Sequence, residues 1–221
     1  MTEGIFTHFT KTVDDYNTVA DKVVIKNNEL HEQIVVAIPG SPSLILDLGS
    51  GTGHGMKLLN ERFPDAMVYG IDFSPKMISQ ATSYLKGGNF KLFKRNFIDI
   101  NFEKTYDVIV SAVAIHNITH EQKKVLFAKI FAALKPGGLF INGDFVEGET
   151  EEEQEKYESE YRAYLNDNLS GHELRVWLHH AFEEDMPMKL SEQEHILKEI
   201  GFSSVDVTWK VLNEVVYVAK K

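Results

Sequence analysis

The sequence predicts an α/β protein with an open, doubly wound sheet of seven strands, mostly parallel with one antiparallel strand, and a helical insertion after the fifth strand. Three observations predict it. Apolar runs alternate with helically periodic stretches from Leu44 to Phe145, the first apolar run opens into a loop with glycine at every second position, and the chain closes with two β-rich runs. At 221 residues the chain suits a single domain, 1–221, large enough to bury a full core.

Each element has a local reason. Residues 1–12 mix Phe6, His8 and Phe9 with polar residues and have no clear period. Val13, Tyr16, Val19, Ala20, Val23 and Val24 then recur at three and four, predicting one amphipathic helix that runs to about Ile38, before Pro39-Gly40. Leu44–Leu48 is the first strand, and the helix 56–63 after the glycine loop stops at Pro64-Asp65. The second strand, 67–71, carries Asp72 at its end; Ser74 then caps a helix with Pro75 at its first position. The runs 90–94 and 106–111 are the third and fourth strands, the fourth almost continuously apolar, as in a sheet buried on both faces.

A periodic helix over 122–134 stops at Lys135-Pro136-Gly137-Gly138 and leads into the fifth strand, 139–145, with Asp144 near its end. The alternation then breaks. An acidic helix over 149–169 carries Tyr157, Tyr161 and Tyr164 in one stripe expected to pack on the body; its charge run reads as a solvated face. The histidine-rich stretch 171–180 and a polar segment ending near Pro187 follow. Residues 190–200 form the last helix, with Ser191 and Glu194 in a capping-box pattern, and 205–210 and 214–218 form an antiparallel closing pair.

The run Leu44-Ile45-Leu46-Asp47-Leu48-Gly49-Ser50-Gly51-Thr52-Gly53-His54-Gly55 reads as strand, tight loop and helix, with backbone N–H groups free to meet a ligand. The dinucleotide spacing G-x-G-x-x-G does not fit, because its third glycine falls on His54 or Met56. Asp72 lies about 20 residues beyond the loop, where a carboxylate can accept both hydroxyls of a ribose. The D-x-G-x-G-x-G loop, Gly70-Ile71-Asp72-Phe73-Ser74-Pro75-Lys76-Met77, Ala114-Ile115-His116-Asn117 and Leu134-Lys135-Pro136-Gly137-Gly138 together resemble the motifs of the class I S-adenosylmethionine-dependent methyltransferases. The resemblance is nearly unbroken over 44–145.

That resemblance implies a Rossmann-like fold, S-adenosyl-L-methionine as cofactor and methyl transfer to a small-molecule acceptor. It implies that Asp47, Gly49, Gly51, Gly53, Asp72, Phe73, Met77, Asn96, Phe97 and Ser111 hold the cofactor. Asn96 stands where the family has an acid reading the adenine, and Asp99 is the alternative. Residues 1–40 would lie over the cofactor as a lid, closed by Tyr16 or Phe9, or would simply cap the body. His116 and Asp144 are the candidate catalytic residues, since ligands sit outside the carboxyl ends of such strands. The insertion 146–189 leaves from that same edge, so it is expected to cover the active site with Arg175 and one of His179 or His180 facing the pocket; the rival reading makes its acidic helix a homodimer contact.

Composition narrows the partners. A formal charge of −10, from 33 acids against 23 lysines and arginines, disfavours nucleic acid. There is no cysteine, hence no disulfide or thiolate metal site, and this suits the cytoplasm. No targeting signal opens the sequence, and no run approaches the roughly 18 to 20 apolar residues of a membrane span. Three other readings stand beside the leading one. Asp14-Asp15-Tyr16-Asn17, the insertion and the ending 197–220 also resemble the carboxy-S-adenosylmethionine synthases, which hold an added carboxylate with arginine; Arg175 and Arg162 are the insertion's arginines. A non-catalytic cofactor-binding protein is the second. The third is a metal-assisted transferase in which Asp144, His116, His172, His179 and His180 converge.

Overall fold

A computed structural model of the chain describes residues 16–102 and 105–221. In order, its elements are α1 (Tyr16–Val23), α2 (Asn27–Val36), β1 (Leu44–Leu48), α3 (His54–Arg62), β2 (Met67–Asp72), α4 (Pro75–Tyr84), β3 (Phe90–Lys94), β4 (Tyr106–Ala112), α5 (His120–Ala133), β5 (Leu134–Phe145), α6 (Glu151–Asn168), α7 (Gly171–His179), α8 (Leu190–Ile200), β6 (Ser204–Val211) and β7 (Glu214–Lys220). A 3₁₀ turn at Ile115–Asn117 follows β4, and a π-helix at His180–Glu184 continues α7.

The seven strands form one sheet in the order β3-β2-β1-β4-β5-β7-β6. β1 to β5 run parallel, and β7 runs antiparallel to both its neighbours. The strand order reverses between β1 and β4, so the glycine loop after β1 and the 3₁₀ turn after β4 leave the sheet side by side at its carboxyl edge.

Side chains alternate across each strand and fill two cores. Leu46, Leu48, Ile109 and Phe140 pack with Phe127 and Ile130 of α5 and Leu197 of α8. Ile45, Val68, Val108 and Ile141 pack on the other face with Leu30 and Ile34 of α2 and Met56 and Leu59 of α3. A third cluster joins Val19 and Val23 of α1 to Tyr161 and Leu165 of α6 and Trp177 of α7. The insertion thus packs on the N-terminal helix, and the predicted tyrosine stripe makes the joint: the Tyr161 and Tyr164 hydroxyls donate to the carbonyls of Val23 (2.7 Å) and Asp21 (2.9 Å).

Three local expectations are corrected. The single N-terminal helix is two, because the N–H groups of Ile25 and Lys26 leave the helical pattern to donate to the Glu214 carboxylate, at 2.6 and 3.2 Å. The capping box at α8 does not form. Instead the Ser191 N–H and hydroxyl both donate to Glu149, at 2.9 and 2.6 Å, which ties the insertion's start to α8. β5 extends back to Leu134, which pairs with Tyr106 across an irregular step. The expectations for Phe9, Asp14 and Asp15, and for the Tyr16 side chain, fall outside the described residues.

Glu214 is fully buried at the start of β7. Burial pushes its carboxyl up to about 7, against the pull of the two N–H groups. Glu214→Ala leaves both donors without an acceptor and is expected to cut amide protection of the α1–α2 turn by about 1–3 kcal/mol. Hydrogen exchange followed by mass spectrometry checks this; unchanged protection would mean that apolar contacts alone hold the turn.

Candidate functional site

The glycine loop is folded tightly over the end of β2. Gly49, Gly51 and Gly53 have φ of 76°, 52° and 90°, a region that side-chain-bearing residues seldom enter. A Cβ on Gly49 would lie 2.6 Å from that of Ala114, so the glycine also lets the loop close against the segment after β4. The N–H groups of Gly49 and Ser50 donate to the Ile71 carbonyl at 2.8 and 3.0 Å. Asp72 completes the clamp, accepting from Gly51 N–H (3.0 Å) on one oxygen and from Ser74 N–H (2.7 Å) on the other. Ser74 caps α4 through Met77 N–H, as expected from Ser-Pro at its start.

Above this loop lies a cavity of about 310 Å³. Its floor is the loop, Asp47 and Asp72; its sides are Phe73, Met77 and Phe97 and, after β4, Val113, Ala114 and Asn117; its roof is Ala20 and Asp21 of α1, Val24 of the turn after it, and Asn27, Asn28 and His31 of α2. Burial raises Asp47 to about 7, with Asp72 adding to the rise, and raises Asp72 to about 6 against its two N–H partners. Burial also lowers His31 to about 4 and lowers His54, so both rings are neutral near pH 7. Among the described residues the lining holds three acids and neither lysine nor arginine. Ser50 Oγ and His54 Nε2 are buried there without a hydrogen-bond partner. The arrangement suits a ligand with a cationic centre and several polar groups.

Ala20, Val24 and Val113 also line a second, smaller cavity of about 30 Å³, so the two meet at these residues. Val113 has φ 50°, a strained conformation for a β-branched residue, and its N–H donates to the Gly143 carbonyl at 2.8 Å. His116 lies in the smaller cavity with Phe145, Tyr161, Trp177, His180 and Asp185. Asp144 holds His116 twice, accepting from its backbone N–H (2.9 Å) and pairing with Nδ1 (2.6 Å). Nε2 is thereby turned toward Asn117 Nδ2, at 2.9 Å, and Asp185, at 3.7 Å. Burial alone lowers an imidazole, but Asp144 and Asp185 outweigh it, and His116 lies above its ordinary value.

The expected site residues divide. Asp47, Gly49, Gly51, Asp72, Phe73, Met77 and Phe97 line the large cavity, and Gly53 caps α3 beside it. Ser111 does not: its hydroxyl is buried and donates to the Leu48 carbonyl at 3.0 Å, pinning β4 to β1. Asn96 turns its side-chain oxygen to Ile98 N–H (3.1 Å) and sits with Asp99 at a separate open depression. Arg175 is exposed and lines neither cavity, because the helical period turns Trp177 inward and Arg175 outward. Of the two candidate histidines, His180 is buried in the smaller cavity and His179 is exposed. His172 is exposed as well, and among the described residues no three His, Asp or Glu side chains are grouped to hold a metal ion.

Sequence reasoning missed Asp21, Asn27, Asn28, His31 and Asp185. The first four share the polar side of an otherwise ordinary amphipathic pattern, and Asp185 stands in the acidic run Glu183-Glu184-Asp185 with nothing local to separate it from a solvated loop. The raised carboxyls carry a pH signature. Folded values of about 7 and 6 for Asp47 and Asp72 exceed the ordinary 3.8, so the fold holds these protons more tightly than the unfolded chain; the resulting stability is present below about pH 4 and lost as pH rises through 6 to 7. Asp47→Asn is therefore expected to stabilise the ligand-free protein more at pH 8 than at pH 5, as measured by urea unfolding; an equal effect at both would remove the buried-charge account.

Comparison with known proteins agrees with this geometry. A family described as a methyltransferase domain matches residues 45–138. A phosphoethanolamine N-methyltransferase of Plasmodium falciparum is 30% identical over 148 residues, 66% of this chain and 50% of that protein, so the chain spans about half of this relative. A carboxy-S-adenosyl-L-methionine synthase of Helicobacter pylori is 27% identical over 181 residues, 80% of this chain and 75% of that one. The structure of an O-methyltransferase family protein from Burkholderia thailandensis superposes with a TM-score of 0.72 at 14% identity, covering 98% of this chain and 61% of that one, a likeness of fold. The matched range runs from β1 into β5 and the fold is that of solved methyltransferases, and the chain belongs to the class I S-adenosylmethionine-dependent methyltransferases.

Proposed function

We propose that the protein transfers the methyl group of S-adenosylmethionine to a small-molecule acceptor bound under the insertion. The observation that carries this is the junction of the two cavities at Ala20, Val24 and Val113, with an acid-lined cradle on one side and His116 on the other. The cradle fits the cofactor: its acids suit a sulfonium and an ammonium group, and its unpartnered Ser50 Oγ and His54 Nε2 suit the polar methionyl end. Asp72 and the Gly49–Gly53 backbone would hold the ribose and the methionyl end, with Phe73, Met77 and Phe97 along the base. When bound, the cofactor supplies an electrophilic methyl carbon. The chain's part is to align the acceptor and exclude water, and Asp144 fixes His116 so that Nε2 faces the acceptor side.

The carboxy-S-adenosylmethionine synthase reading is the second, favoured by the greater share of this chain that those relatives match. It needs a cation for the added carboxylate. Among the described residues no lysine or arginine lines either cavity, and a carboxylate beside Asp21, Asp47 and Asp72 would meet like charge. Methyl transfer is the better reading on these grounds.

Asp72→Ala removes a charge-assisted hydrogen bond to the cofactor worth about 1.5–3 kcal/mol, so calorimetric affinity for S-adenosylmethionine is expected to fall roughly tenfold or more. Unchanged affinity would refute the ribose assignment. Mass spectrometry of nucleotide extracted from purified protein separates the two chemistries. S-adenosylmethionine or S-adenosylhomocysteine supports methyl transfer, and a carboxylated cofactor overturns it.

A further inference from the structure

Behind His116 the smaller cavity continues into a third, of about 60 Å³, which shares His116, Phe145, Tyr161, Ala181 and Asp185 with it. The two lie side by side under the insertion as a candidate passage, and Val113 borders both the nearer of them and the cofactor cavity. Phe145, Tyr157, Tyr161, Trp177 and Phe182 supply aromatic walls, and among the described residues no lysine or arginine lines it. Asp185 stands between the two parts with its side chain nine-tenths buried, 10% exposed. Its Oδ1 is buried without a hydrogen bond, with the ring nitrogens His180 Nε2 at 3.4 Å and His116 Nε2 at 3.7 Å.

Asp185 is held there by construction. The Met186 N–H donates to the His116 carbonyl (2.9 Å), the buried Lys123 ammonium donates to the carbonyls of Ile118 and Met186, and His120 Nε2 lies 3.0 Å from the Pro187 carbonyl. Three contacts thus fix the backbone on the C-terminal side of Asp185 to the segment after β4. The hydrogen bonds of Lys123 go to those two carbonyls, and it makes none to Asp185 Oδ1. A buried carboxylate oxygen with no donor is costly unless a ligand brings one, and aromatic faces around it favour a cation over a neutral donor.

We infer that the acceptor is a small primary or secondary amine, bound as its ammonium ion by Asp185 and the aromatic walls of this passage and methylated on nitrogen. This rests on the methyltransferase reading above and narrows its acceptor class. The ammonium gives one proton to Asp185 Oδ1, and the freed nitrogen lone pair bonds to the cofactor's methyl carbon. The carbon–sulfur bond breaks with its electron pair left on sulfur. The products are a methylated ammonium ion, S-adenosylhomocysteine and one proton, which passes from Asp185 to solvent. The volumes limit the acceptor to a few heavy atoms beyond the nitrogen unless the walls part.

The test uses the whole chain with ethylamine, n-butylamine and benzylamine, and with ethanol, n-butanol, benzyl alcohol and butyrate as controls of like shape. Release of S-adenosylhomocysteine is measured first, and saturation-transfer NMR of each probe on the S-adenosylhomocysteine-loaded protein second. Amines alone should bind and turn over. Asp185→Asn should lower amine kcat/KM and amine binding at least about tenfold, the loss of one charge-assisted hydrogen bond, while affinity for S-adenosylmethionine stays within about twofold. Trp177→Leu should weaken amine binding in the same direction without touching the cofactor. The inference is overturned if amines fail to bind the loaded protein, if an alcohol or butyrate is the better acceptor, or if Asp185→Asn binds amines normally. Failure of the wild-type protein to bind S-adenosylmethionine would instead strike the methyltransferase reading itself.

Discussion

The carboxylate of Asp72 joins the glycine loop to the start of α4, and the shape of the large cavity depends on that bridge. One oxygen holds Gly51, the other Ser74, and together they set the distance between the loop that follows β1 and the helix that follows β2. Each bond satisfies a backbone donor that the tight turns leave without a helical or sheet partner. The arrangement is also electrically uneasy. Asp72, Asp47 and Asp21 face one cavity, and no lysine or arginine among its described lining answers them. A protein optimised for stability alone would not leave carboxyls at about 6 and 7 in its interior; one that binds a cation across them has a reason to.

The roof is a second constraint, made from distant parts of the chain. α1 and α2 come before the sheet, α6 and α7 leave it after β5, and they meet through Val19, Val23, Tyr161, Leu165 and Trp177. Neither pair encloses the site alone. Because Ala20 of α1 borders both cavities, with Val24 and Val113 beside it, a small shift of α1 alters the space in both together. Asp144 serves the same joint from below by fixing His116 through two contacts, so the ring depends on sheet geometry more than on its own short turn.

What was legible in the sequence follows from how local each feature is. The strand, glycine loop and acid of 44–55 and the Asp72-Phe73-Ser74-Pro75 turn are written in consecutive residues whose backbone demands are specific, and the floor of the large cavity could be read from them. Ser111 and Asn96 sat at the right sequence distance, but their hydrogen bonds go to Leu48 and Ile98, choices set by neighbouring strands and a turn. Arg175 stands out in the sequence by its charge, and the helix phase, fixed by Trp177 packing on α1, turns it outward. Asp185 was invisible for the opposite reason. What distinguishes it from Glu183 and Glu184 is a set of contacts to Lys123, His116 and His120, more than 60 residues away, as the separation of 63 between Lys123 and Met186 illustrates. The break between α1 and α2 is likewise decided by Glu214, 189 residues from Ile25.

That last contact bears on the order of events as the chain is synthesised. β7 follows the other described elements and slots between β5 and β6, bringing Glu214 to the turn that shapes the roof. A nascent chain that has emerged only as far as β5 can already form the glycine loop, the Asp72 bridge and the floor of the cavity, yet it lacks the anchor for its own first helices. The turn between α1 and α2 gains its carboxylate partner only from a residue made 189 positions after Ile25. Such a chain would offer an open trough in place of an enclosed site, and any ligand it met could leave as easily as it came.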